Sequence, residues 1–153
     1  MTIGTDALIE FFGSETDITN ASNGTIVADA YSAAGDIDTW DNSDDSPMAV
    51  FALGYAAASA PTAGGWVALY ATLVDIDDAN NDESTPTASD ESAHPLGIFR
   101  IPNATSSHVS LRAVLPNAES SQTYQFFLKN KTDQTMSDTW TLKVKSVTYG
   151  PHT

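Results

Sequence analysis

The sequence predicts an all-β chain folded as an antiparallel two-sheet β-sandwich, and three observations predict it. Apolar residues recur with a period of two rather than 3.6. Gly, Pro and Asn break these runs at roughly 8–12-residue intervals, the spacing of sandwich strands. No segment reads as an amphipathic helix: Asp29 to Asp38 carries several Ala residues but is interrupted by Gly35. Eight or nine short strands with long connections favour a jelly roll over an Ig-like sandwich.

The elements follow in order. Ala7 to Phe12 reads as a first strand, with Ile9 and Phe11 on one face. Residues 13–23 form a polar loop, Thr25 to Tyr31 a second strand, and Asp36 to Trp40 a short third. Pro47 to Ala57 alternates Ala49, Phe51, Leu53 and Tyr55 on one side. Ala60 to Gly65 is turn chemistry, so Trp66 to Ile76 is expected to close a hairpin with the preceding strand. Leu96 to Ile101 is the next strand. In the one after it, Val109, Leu111, Ala113 and Leu115 alternate with Ser110, Arg112 and Val114. Tyr124, Phe126 and Leu128 then share one face, and Trp140, Leu142 and Val144 share another. Neither half has enough strands to close a core alone, so residues 1–153 are expected to form one domain. It would carry a short N-terminal arm (1–6) and a long acidic loop (77–94).

The formal charge of the 153 residues is −14. Such a field disfavours nucleic acid and anionic membrane as partners. Residues 1–99 hold 17 acids and no base, whereas residues 100–153 hold three acids and all six bases. The absence of cysteine removes disulfides, thiolate metal sites and a cysteine nucleophile. The N-terminus lacks a basic n-region and an apolar h-region, so the protein is expected to be soluble and made in the cytoplasm.

The chemistry of known enzyme motifs is missing. There is no Gly-x-Ser-x-Gly, no phosphate-binding glycine loop, and His94, His108 and His152 lie apart. The chain is therefore expected not to be an enzyme. Glu10 is the one acid with apolar neighbours on both sides, and it is expected to face solvent or a partner. No cofactor is expected beyond a Ca²⁺ ion in the acidic loop, where Asp75, Asp77, Asp78, Asn80 and Asp82 offer oxygen ligands. An EF-hand register fails there, with Glu83 and Ser89 at the positions needing Gly and Glu. Trp66 and Trp140 are expected in the core. Trp40, in polar company, is the expected exposed ring for a carbohydrate. Arg112, Lys129, Lys143 and Lys145 all alternate with core positions and project outward. If their strands share a sheet they form one basic face.

Several segments resemble a set of small tailed-phage virion proteins. They are the Pro-Thr-Ala-Gly-Gly-Trp turn into Val67-Ala-Leu-Tyr-Ala, then Leu115-Pro-Asn, Tyr124 to Asn130, Gln134-Thr-Met-Ser, and Trp140 to Val144. These proteins resemble jelly-roll capsid decoration (cement) proteins. The resemblance implies a structural role on the outside of the phage head, in the virion, bridging subunits of the major capsid protein. It also implies self-association as a dimer or trimer. The expected contacts are Thr2 and Ile3 of the arm, able to add to a sheet edge, and the basic face of Arg112, Lys129, Lys143 and Lys145. The alternative is a carbohydrate-binding module or a head or tail fibre component contacting the host surface, with Trp40 as its stacking ring.

Overall fold

A computed structural model describes residues 8–74, 93–116 and 122–151. Among these residues nine strands occur in chain order: β1 Leu8–Phe12, β2 Thr16–Asp17, β3 Trp40–Asp41, β4 Met48–Ala56, β5 Trp66–Leu73, β6 His94–Arg100, β7 Ser106–Val114, β8 Thr123–Asn130 and β9 Thr141–Pro151. There is no helix among the described residues. One sheet has the order β1-β9-β4-β7, with β2 also pairing β9, and the other has the order β3-β8-β5-β6. Every pairing is antiparallel. The chain is a β-sandwich with jelly-roll topology.

This order has a simple origin. β1 pairs with β9, β3 with β8, β4 with β7 and β5 with β6. The first half of the chain thus pairs strand by strand with the second, as one long hairpin rolled into two layers. The expected hairpin of the fourth and fifth strands does not form. β4 and β5 lie in different sheets, because both faces of the sandwich need covering and the chain crosses between layers after Ala57. The segment 25–31 is not a strand either. It makes isolated bridges, Tyr31 to Lys129 of β8 and Ile26 to Met136 in the segment that follows β8.

The core is the sum of the inward positions. From the first sheet it takes Phe51, Leu53, Tyr55, Leu142 and Val144; from the second, Val67, Leu69, Phe99, Tyr124, Phe126 and Leu128. Phe126 meets Phe51 edge to face, with centroids 5.0 Å apart, which ties the layers together. Trp140 is buried as expected and donates its Nε1–H to the Gly24 carbonyl. Asn130 is buried with all its amide capacity used. It donates to the Ile26 and Gln134 carbonyls and accepts from Thr132 N and Oγ1.

Candidate ligand-binding face

The outer faces of the two sheets carry the six bases, and the division differs from the single face expected. Arg112, Lys143 and Lys145 lie on β7 and β9 of the five-stranded sheet, while Lys129 lies on β8 of the other. The alternation was legible but the sheet assignment was not: jelly-roll pairing separates β8 from β9 although they are consecutive. Nor is the five-stranded face a free basic surface. Arg112 pairs with Glu10, Lys143 with Glu15 at 2.8 Å, and the Lys145 ammonium sits 5.0 Å from the centre of the Phe12 ring. Glu10 therefore faces outward as expected and meets a partner within the chain. Around this pair Phe12 and Tyr149 are about half exposed and Val114 is exposed by 68%.

All three ion pairs among the described residues join an acid from the first half to a base from the second: Glu10–Arg112, Glu15–Lys143 and Asp29–Lys131. Rolling the hairpin up brings the acidic half of the sequence against its basic half.

The outer face of the four-stranded sheet reads as rows across the strands. Arg100, Trp66 and Lys131 form one row, since Trp66 pairs with Arg100 and its carbonyl accepts from Lys131 N. Ile98, Ala68, Lys129 and Tyr31 form the next. Tyr70 and Phe127 form the third. Tyr31 leans across to Tyr70 with ring centroids 5.5 Å apart, and the Lys129 ammonium lies 4.5 Å from the Tyr31 ring centre. Burial and the neighbouring Tyr31 hydroxyl push the Tyr70 phenol above its ordinary value. Trp66, Tyr31 and Tyr70 are each half-buried.

Beside Trp66 opens a groove of about 460 Å³, lined also by Ala28, Asp29, Lys131, Thr132 and Asp133. Asp29 adopts a left-handed backbone (φ 64°), a conformation Asp tolerates better than most residues, and this turns the chain onto the edge of β8. The Lys131 ammonium beside it holds its carboxyl below the usual range. Asp133 accepts from Thr62 N at 3.0 Å and from Thr62 Oγ1 at 2.5 Å, and these hydrogen bonds lower its pKa as well. The groove thus combines one aromatic wall with fixed charged and polar groups.

Trp40 is not the exposed ring. It pairs with Tyr124, an inward position, and stacks on that ring at 6.1 Å and 29°. Its polar neighbours face away or close the Asn42 to Ser46 loop through Asn42 Nδ2 to the Ser46 carbonyl. Its edge borders a smaller polar pocket of about 230 Å³ with Ser14, Thr16, Asp41, Ser43, Asp44 and Ser146. Trp66 departs from expectation in the opposite sense, as a half-buried outward ring rather than a core one. In Trp66 to Leu73 both alternating sets are largely apolar, so parity alone does not say which set faces the core.

Among the described residues no three His, Asp or Glu side chains gather into a metal site. Asp36 accepts from Gly24 N and Ala33 N, Asp38 from Asn20, and Asp44 from Ser146, so these acids order loops. His94 and His108 are exposed on different sheets. Thr2, Ile3, Asp75, Asp77, Asp78, Asn80 and Asp82 lie outside the described residues.

No family model matches the chain, and no curated protein matches it. Solved structures with a similar outline include the C-terminal CBM6 of LamC, a marine laminarinase from Zobellia galactanivorans. It has 14% identity and a TM-score of 0.42, over 90% of this chain and 98% of that one. Another is the carbohydrate-binding module CBM6cm-2 from Cellvibrio mixtus lichenase 5A, in complex with cellotriose. It has 15% identity and a TM-score of 0.43, over 97% and 100%. A third is the Clostridium thermocellum xylanase 10B CBM22-1–GH10 structure complexed with xylohexaose. It has 8% identity and a TM-score of 0.40, over 95% of this chain and 26% of that one. Identities and scores this low carry no statement about site or ligand.

Proposed function

We propose that the protein is a non-enzymatic binding module that holds a carbohydrate on the outer face of the four-stranded sheet. One observation carries this reading: Trp66 forms a wall of an open groove whose remaining walls are Asp29, Lys131, Thr132 and Asp133. A pyranose offers an apolar C–H face and a rim of hydroxyls. The indole supplies a flat apolar surface for the first, and the carboxylates and ammonium supply acceptors and donors for the second. Tyr70 extends the same face four residues along β5, about 13 Å away at strand rise. The platform is thus longer than one sugar ring.

A glycan array followed by calorimetry tests this. Trp66→Ala should weaken binding about tenfold or more, the loss expected of an aromatic anchor. Its melting temperature should fall less than that of a core aromatic variant, because the ring lies on the outer face of the sheet. If the unmodified protein binds no glycan, the reading fails.

A second reading keeps the phage virion, with the protein as a decoration protein on the head exterior. The observation favouring it is the patch of Phe12, Val114 and Tyr149 around the Glu10–Arg112 pair, an apolar surface with a polar centre such as protein partners cover. The partner would be the major capsid protein, and Lys143 and Lys145 would border the contact. Purified protein mixed with bare capsids should then add symmetric density, and Lys143→Glu with Lys145→Glu should weaken it. Capsids that stay bare rule it out. A head or tail fibre component that grips a host-surface glycan would combine the two readings.

A further inference from the structure

We infer that the carbohydrate held on this face is an anionic oligosaccharide, bearing carboxylate or sulfate groups, rather than a neutral one. The inference rests on the carbohydrate reading above and adds the charge of the ligand. Five charged side chains belong to this face and its groove: Arg100, Lys129, Lys131, Asp29 and Asp133. Both acids are already engaged, Asp29 by Lys131 and Asp133 by Thr62. Lys131 is matched by Asp29. Arg100 and Lys129 form no ion pair among the described residues, although the Lys129 charge also acts on the Asp29 carboxyl from a longer distance. Arg100 is exposed, and Lys129 is held over the Tyr31 ring rather than by a carboxylate.

Their placement is specific. Arg100 is the cross-strand partner of Trp66 on one side of β5, and Lys129 is the partner of Ala68 on the other. Two strand spacings and one step of two residues put their Cα atoms about 12 Å apart, on either flank of the Trp66–Tyr70 line. A chain of sugars lying along β5 would pass between two cations that no carboxylate contacts directly. In a protein with 20 acids and six bases, leaving two cations without an ion-pair contact beside the aromatic rings is the arrangement that an anionic chain satisfies. The remaining charge of the body does not cancel this, because at physiological ionic strength it is screened beyond about 8 Å.

The test compares three hexasaccharides by calorimetry: hexagalacturonate for carboxylate, a carrageenan hexaose for sulfate, and neutral cellohexaose. Tighter binding of either anionic hexaose supports the inference and identifies the group. Arg100→Gln and Lys129→Gln should each then cost about threefold to fivefold in that affinity, as exposed ion pairs do. Both variants should melt like the parent. Cellohexaose bound as tightly as both anionic chains, or no effect of either substitution, overturns the inference and leaves the carbohydrate reading intact. Failure to bind any glycan on the wider array overturns both.

Discussion

Glu10 and Arg112 come from the strands at opposite edges of the five-stranded sheet's main path, β1 and β7, yet their side chains meet on its outer face across β9 and β4. Tyr149 of β9 joins them: Arg112 Nη2 donates to its hydroxyl at 2.9 Å, and that hydroxyl lies 3.1 Å from Glu10 Oε1. Four strands are thus stitched by side chains as well as by the ladder, since the Tyr149 hydroxyl also reaches Met48 Sδ on β4.

The first prediction concerns acid. The hydrogen bond from Arg112, with help from Tyr149, holds the Glu10 carboxyl below its ordinary value. Lys143 does the same to Glu15, Lys131 to Asp29 and Thr62 to Asp133. A carboxyl depressed by folding binds fewer protons in the native state, so its stabilisation is present above the unfolded pKa and is lost as pH falls through the folded one. The melting temperature should hold near neutrality and fall progressively below about pH 4.3, the unfolded value for Glu. Glu10→Gln should melt lower at neutral pH and decline less steeply in acid. A scan of melting temperature against pH for both proteins checks this, and parallel curves would refute it.

The second concerns the tryptophans. Trp40 packs on Tyr124 and Phe126, with centroids 6.1 and 6.3 Å away. Trp40→Ala should cost about 3–5 kcal/mol of stability, as a large buried aromatic does. It should leave the glycan affinity of the folded fraction unchanged. Denaturant unfolding beside calorimetry separates this pattern from the reverse one expected of Trp66→Ala.

The third concerns Asn130. Asn130→Asp keeps the shape but aims a carboxylate oxygen at the two carbonyls that the amide now serves, Ile26 O at 2.9 Å and Gln134 O at 2.7 Å. The loss should be about 3–5 kcal/mol at neutral pH, the scale of an uncompensated buried charge. Folding should push this carboxyl above its unfolded pKa, so the deficit should shrink as pH is lowered toward 4. Urea unfolding of the variant at two pH values measures it; a deficit independent of pH would contradict the account.

The fourth concerns Gly97 on β6, where the backbone (φ 155°) runs close to the other layer. A Cβ there would lie 2.8 Å from Leu111 Cδ1 of β7. Gly97→Ala should cost about 1–3 kcal/mol, from the positive φ that a side chain rarely adopts together with overpacking against Leu111. The double variant with Leu111→Ala should show a coupling term rather than a simple sum.

Much of the fold was legible because a half-buried strand writes its two faces into alternate residues. Phe51, Leu53 and Tyr55, or Leu142 and Val144, announce both the strand and its inward side. The same rule explains where legibility stops. In β5 the outward set, Trp66, Ala68 and Tyr70, is nearly as apolar as the inward one, so the ring that lines the groove is indistinguishable from a core ring. Trp40 failed for the converse reason, since its polar neighbours belong to a two-residue strand and a tight loop that leave no alternation to read.

The sequence by itself determined the class of fold, the inward face of the longer strands, and the division of charge into an acidic first half and a second half holding every base. Tertiary structure alone decided the partners. Pairing is set by which strands the rolled hairpin brings together, and those contacts lie far apart in the chain, 139 residues for Glu10 and Tyr149. No local pattern encodes a separation of that length. Only the folded chain therefore matches Glu10 to Arg112 and Glu15 to Lys143, and turns Trp66, Tyr31 and Tyr70 onto one face.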